Sequence, residues 1–179
     1  MASAEATVID AAAHYDKRCK AAHRYEIVDV RGRLQLTVPL AKPAPAPGAR
    51  PTWADCAVST HDEWWRRHRT ALESAYGRTP YFEFLIDKFD GVFRSPEEWP
   101  KWPSALDLIR EANRAVRSIL LIDSPMVYAT EPQTVHTDPG PALAPYWQVR
   151  QHLHGFQPGL SVLDLLFNLG PEAALLMRD

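Results

Sequence analysis

The stretch Tyr25 to Pro39, YEIVDVRGRLQLTVP, decides the fold class by placing β-branched residues on both sides of a glycine-containing turn. Tyr25 to Val30 and Leu34 to Pro39 read as two strands joined by Arg31-Gly32-Arg33, the separation of a β-hairpin. Upstream, Ala6 to Asp10 reads as a further short strand. Downstream, the Pro/Ala run from Lys42 to Pro51 breaks the pattern, since proline removes backbone donors and keeps the preceding residue extended. That run is expected to be a surface loop of polyproline character.

Helical spacing takes over beyond it. Trp64, His68, Leu72 and Tyr76 recur at intervals of four, which predicts a helix over Asp62 to Tyr76 with Gly77 as its C-cap. A second helix is predicted from Tyr81 to Val92, burying Phe82, Leu85, Ile86 and Phe89. A third starts at Ser104, whose hydroxyl suits the N–H of Asp107, and carries one apolar stripe through Leu120. Met126 to Thr130 and Tyr146 to Val149 read as short strands, and Ser161 as the cap of a last helix that breaks near Gly170. Strands alternating with helices predict an α/β fold: a single domain over 1–179, a mixed β-sheet with a hairpin and several covering helices.

Composition narrows the function classes. With 46% hydrophobic and 23% charged residues, the 179-residue chain has the composition of a globular protein. Its 20 basic and 22 acidic side chains are interspersed, so no basic face for a phosphate backbone emerges and nucleic acid is not expected as a partner. No apolar run approaches the roughly 20 residues of a membrane span, and the first residues have no secretory pattern. Cys19 and Cys56 supply neither a disulfide framework nor a zinc tetrahedron, which fits a reducing cytoplasm. The 8 glycines form no dinucleotide or P-loop motif, so no cofactor is expected.

Three stretches together resemble the WbqC-like family: LQLTVPL at Leu34 to Leu40, EWWRRHRTALESAYGRTPYF at Glu63 to Phe82, and YWQVRQHLHGFQPGLSVLDLLFNLGPEA at Tyr146 to Ala173. The resemblance implies a place in bacterial surface-polysaccharide (O-antigen) synthesis, with a transferase role in moving glycine or another aminoacyl group to a sugar. A non-catalytic partner in the same pathway, or an inactive fragment, stand as alternatives. Family members open with a strand, a proline-rich aromatic segment and a helix ahead of the strand ending at Asp10, which implies an N-terminally shortened member. The family's Asn-Arg pair is here His23-Arg24, so the arginine is kept and the asparagine is not.

Several residues suit such chemistry. An amine attacking an acyl carbonyl must lose a proton, and His68 or His61 is the candidate catalytic base; for His68 the helical stripe favours packing at the core edge over that role. Asp10, Tyr15, Lys17 and Arg24 follow a strand, where ligand loops gather, and Lys17 with Arg24 suits the phosphate of a nucleotide-linked sugar. Trp64 and Tyr76, on the stripe of His68, complete the substrate-binding set. His136, Asp138, His152 and His154 match no standard metal spacing, and no metal is expected. Ser161 and Asp164 stand where a helix needs its N-cap and the N3 partner, and capping accounts for both.

Overall fold

The computed structural model describes residues 7–131 and 143–177. It is a mixed α/β fold in which helices outweigh strands. Strand β1 (Thr7–Asp10) pairs in parallel with β4 (Met126–Ala129), Thr7 opposite Met126. Strands β2 (Arg24–Asp29) and β3 (Gly32–Thr37) form the antiparallel hairpin, Asp29 opposite Gly32. These pairs are separate two-stranded sheets, so the strands expected in one mixed sheet divide between two.

The hairpin turns at Val30-Arg31, with the Asp29 carboxylate accepting from the Arg31 N–H at 2.7 Å and Gly32 taking φ +118°, a conformation open to glycine. The proline-rich loop is anchored where it departs and returns. Ala41 N–H donates to the Ala57 carbonyl at 2.8 Å, and Ser59 N–H to that of Pro39 at 2.8 Å.

Helix α1 covers Trp64–Tyr76, two residues later than the predicted start. Asp62 and Glu63 both lie in the left-handed region, φ 57° and 44°, and break the chain just ahead of it. Gly77 is the C-cap of α1, as expected, with φ −56° and so outside the left-handed region. Glycine is required there by close approach instead, since a Cβ would meet the Glu73 carbonyl oxygen at 2.6 Å.

The helix predicted from Tyr81 to Val92 is shorter and tighter: α2 (Phe82–Leu85) runs into a 3₁₀ turn over Ile86–Phe89. Phe82, Leu85, Ile86, Phe89, Val92 and Phe93 are all buried, largely at intervals of three, the repeat of a 3₁₀ helix. Helix α3 (Ala105–Leu120) begins as expected, with a full capping box between Ser104 and Asp107. Tyr146–Val149 is not a strand. The Gln148 side chain brackets the backbone of Gln157, donating to its carbonyl at 3.0 Å and accepting from its N–H at 2.8 Å, and so supplies the pairing a neighbouring strand would give.

After the single turn α4 (Gln151–His154), α5 (Val162–Leu169) enters the core, and α6 (Ala173–Leu176) follows a short 3₁₀ turn. Phe167 is fully buried among the rings of Phe82, Tyr76 and Phe89, with centroids 5.0, 5.4 and 6.2 Å away. Ser161 N–H donates to the Glu26 carbonyl at 2.8 Å, fastening the start of α5 to the hairpin.

Candidate functional site

The left-handed pair Asp62-Glu63 turns His61 and Asp62 onto the rim of a cleft between β3 and α1. The cleft encloses about 430 Å³, and His61, Asp62, Trp64, Arg67 and His68 line it. Three predicted residues, His61, His68 and Trp64, thus meet on one surface.

The two histidines differ in kind. His61 is exposed, its Nε2 lies 3.4 Å from Asp62 Oδ2, and that oxygen also accepts from Arg67 Nη1 at 3.0 Å. His68 is buried, and its Nδ1 is 3.0 Å from the Tyr25 hydroxyl. Burial pushes its pKa down to about 4, the Thr37 carbonyl acting on the ring opposes this, and the Arg67 charge adds to it. At neutral pH the buried ring is uncharged, and its Nδ1 shares a hydrogen bond with the Tyr25 hydroxyl. His68 therefore holds Tyr25 in place, while His61 faces solvent.

Trp64 is also a wall of a second pocket, about 230 Å³, formed by β2, α3 and the start of α5. Arg24 and Tyr25 stand at its mouth and continue into a polar cleft with Lys20, Glu26 and Gln35. Arg24 Nη1 donates to Gln35 Oε1 at 3.2 Å, and its Nε is buried without a hydrogen-bond partner among the described residues.

The other predicted site residues lie elsewhere. Asp10 accepts from the Ala12 N–H at 2.9 Å in the turn after β1. Tyr15 packs edge-on against Trp53 with centroids 5.0 Å apart. Lys17 is exposed and lines none of these clefts; Lys20 is the lysine that shares one with Arg24. Lys20 had no sequence signal of its own, since it lies in a 3₁₀ turn and Arg24 opens a strand, so a fixed spacing does not predict their shared cleft. Tyr76 is fully buried and opens onto none of these clefts, because its hydroxyl donates to Asp164.

Asp164 departs furthest from expectation. Ser161 does cap α5, accepting from the Leu163 N–H at 3.3 Å, but the Asp164 side chain turns into the core instead of back to the cap. Its carboxylate accepts from Tyr76 at 2.9 Å, Tyr146 at 2.7 Å and Gln148 at 3.0 Å. Burial raises its pKa, and these hydrogen bonds, with that of Asn168, pull the other way.

Among the described residues no group of three His, Cys, Asp or Glu is placed to hold a metal ion. His152 Nδ1 faces the Val149 carbonyl and His154 Nε2 that of Asp29, each at 3.1 Å, on the helical turn α4. His136 and Asp138 lie outside the described residues. No helix among the described residues is long and apolar enough to cross a membrane.

The chain is thus a small mixed α/β protein in which the exposed His61–Asp62 pair rims one cleft and Trp64 is shared with a second, apolar pocket. The chain belongs to the WbqC-like protein family, whose family model matches residues 1–139. Both clefts draw most of their walls from this region, as do the stretches Leu34 to Leu40 and Glu63 to Phe82; Tyr146 to Ala173 falls beyond it. No curated protein and no solved structure shows significant similarity to the chain.

Proposed function

We propose that the chain works in the cytoplasm on a sugar or nucleotide-linked sugar in the synthesis of bacterial surface polysaccharide, transferring glycine or another aminoacyl group to it. Membership of the WbqC-like family supports the setting. The observation that carries the chemistry is the exposed His61, 3.4 Å from Asp62 on the rim of a cleft large enough for a sugar ring.

In this reading a sugar amine or hydroxyl attacks the acyl carbon of an activated carrier, and His61 accepts the proton released. The acyl–carrier bond breaks as the new acyl–sugar bond forms, and His61 returns the proton to the departing carrier. Asp62 holds the charged imidazole, Arg24 takes an anionic group of the substrate, and His68 is a positioning residue. The test is incubation of the purified protein with nucleotide-linked sugars and aminoacyl donors, with acylated sugar read by mass spectrometry. His61→Ala is expected to abolish product without changing the melting temperature; undiminished product in His61→Ala rules out this mechanism.

A second reading is a non-catalytic partner in the same pathway. The burial of His68 and its hydrogen bond to Tyr25 favour it, since among the described residues they leave His61 as the histidine of the cleft open to substrate. Ligand-induced stabilisation without product formation is its signature.

A further inference from the structure

The pocket behind Trp64 has chemistry that sugar transfer does not use. Its walls are almost wholly apolar: Val38 and Leu40 beyond the hairpin, Phe93 after the 3₁₀ turn, Leu108 and Ala112 on α3, and Leu163 on α5. A sugar, covered in hydroxyls, would leave most of its polar groups without partners against such walls. The mouth has the opposite character. Lys20 and Arg24 both line it, and among the described residues Arg24 has only the neutral Gln35 as its side-chain partner and a buried Nε without one. The carboxylate at this mouth, Glu26, is engaged by Arg33 at 2.6 Å, so it does not cancel the two cations.

From this juxtaposition we infer that the pocket binds a small amphipathic anion: a hydrocarbon body of on the order of eight carbons, given the room of roughly eight waters in 230 Å³, ending in a phosphate or carboxylate at Arg24 and Lys20. The apolar body packs against Trp64, Phe93 and Leu108, and the head pairs with the Arg24 guanidinium and Lys20. The site shares Arg24 with the proposed transfer site, yet the two stand or fall separately, because amphiphile binding requires no turnover.

The test titrates the intact protein with octyl phosphate, octanoate, hexyl phosphate, octan-1-ol and inorganic phosphate, by calorimetry and tryptophan fluorescence. At least one of the eight-carbon anions is expected to bind about tenfold or more tighter than octan-1-ol and inorganic phosphate, the better of the two identifying the head. Where the head is phosphate, hexyl phosphate binds roughly tenfold more weakly than octyl phosphate, as the loss of two buried methylenes requires. Arg24→Gln with Lys20→Gln removes the advantage over octan-1-ol, whereas Ala112→Phe, which fills the pocket, removes binding of every amphiphile. Ala22→Trp at the rim repeats the block if Ala112→Phe disturbs folding. Equal binding of octan-1-ol and both anions, or binding unaffected by Ala22→Trp and Ala112→Phe, overturns the inference, whatever the outcome for His61→Ala.

Discussion

The hydroxyl of Tyr76 donates to Oδ1 of Asp164 at 2.9 Å, joining residues 88 positions apart inside the core. The same hydroxyl accepts from the Val28 N–H at 3.3 Å, so α1, α5 and the hairpin meet at one oxygen. Asp164→Ala leaves Tyr76, Tyr146 and the Gln148 amide without their shared acceptor. Urea unfolding is expected to show a loss of about 3–5 kcal/mol. A loss below about 1 kcal/mol would mean that the network is not a source of stability.

Two buried groups give stability opposite dependences on pH. His68 has its pKa pushed down from 6.5 to about 4, so its contribution is complete above pH 6.5 and is lost as pH falls toward 4, by on the order of 3 kcal/mol. The pKa of Asp164 is raised above 3.8, so its contribution is complete below that value and is lost as pH rises through the higher folded value. Melting temperatures across pH 4 to 7 are expected to lose the first dependence in His68→Gln and the second in Asp164→Asn. An unchanged profile in His68→Gln would show that the ring titrates alike in folded and unfolded chains.

Glu63 holds φ 44° with an exposed side chain whose ion pair to Arg66 is solvated. Left-handed backbone costs an L-residue roughly 1–2 kcal/mol, while glycine adopts it freely at the expense of a more flexible unfolded chain. Glu63→Gly is therefore expected to raise stability by about 0.5–1 kcal/mol in thermal melting, and a lower melting temperature would contradict a strained rim.

Gly170 combines φ +58° with a close approach, since a Cβ there would lie 2.4 Å from the Tyr81 ring. Gly170→Ala is expected to cost more than about 2 kcal/mol in urea unfolding, through strain and displacement of Tyr81 together. Tyr81→Ala in the same background would recover the steric part and leave the backbone part.

What was legible in the sequence is what short-range physics determines. Ser104 and Asp107 are three residues apart, as are Asp29 and Gly32 across the turn between β2 and β3, so caps and hairpins announce themselves. The split of the helix after Tyr81 was harder to read, because intervals of three and four both bury Phe82, Leu85 and Phe89. Asp164 was hidden by a local explanation that fitted equally well: a carboxylate three residues after Ser161 looks like a cap partner until Tyr76 and Tyr146 arrive from distant segments. Of the site, His61, His68, Trp64 and Arg24 were visible as residue types, whereas the contribution of Lys20 depends on how the hairpin folds onto α3 and α5.

The position of α5 in the chain has a consequence for how the protein is made. Leu163, Leu165, Leu166 and Phe167 lie beyond the region that the family model matches, yet they are buried in the same core as α1 and α2. With ribosomes adding about 5–20 residues each second, the nascent chain spends seconds with Ile27, Leu72 and Phe82 uncovered before these side chains emerge. The apolar faces of the growing polypeptide are then the surface a chaperone meets, and the emergence of α5 is the event that lets the core close.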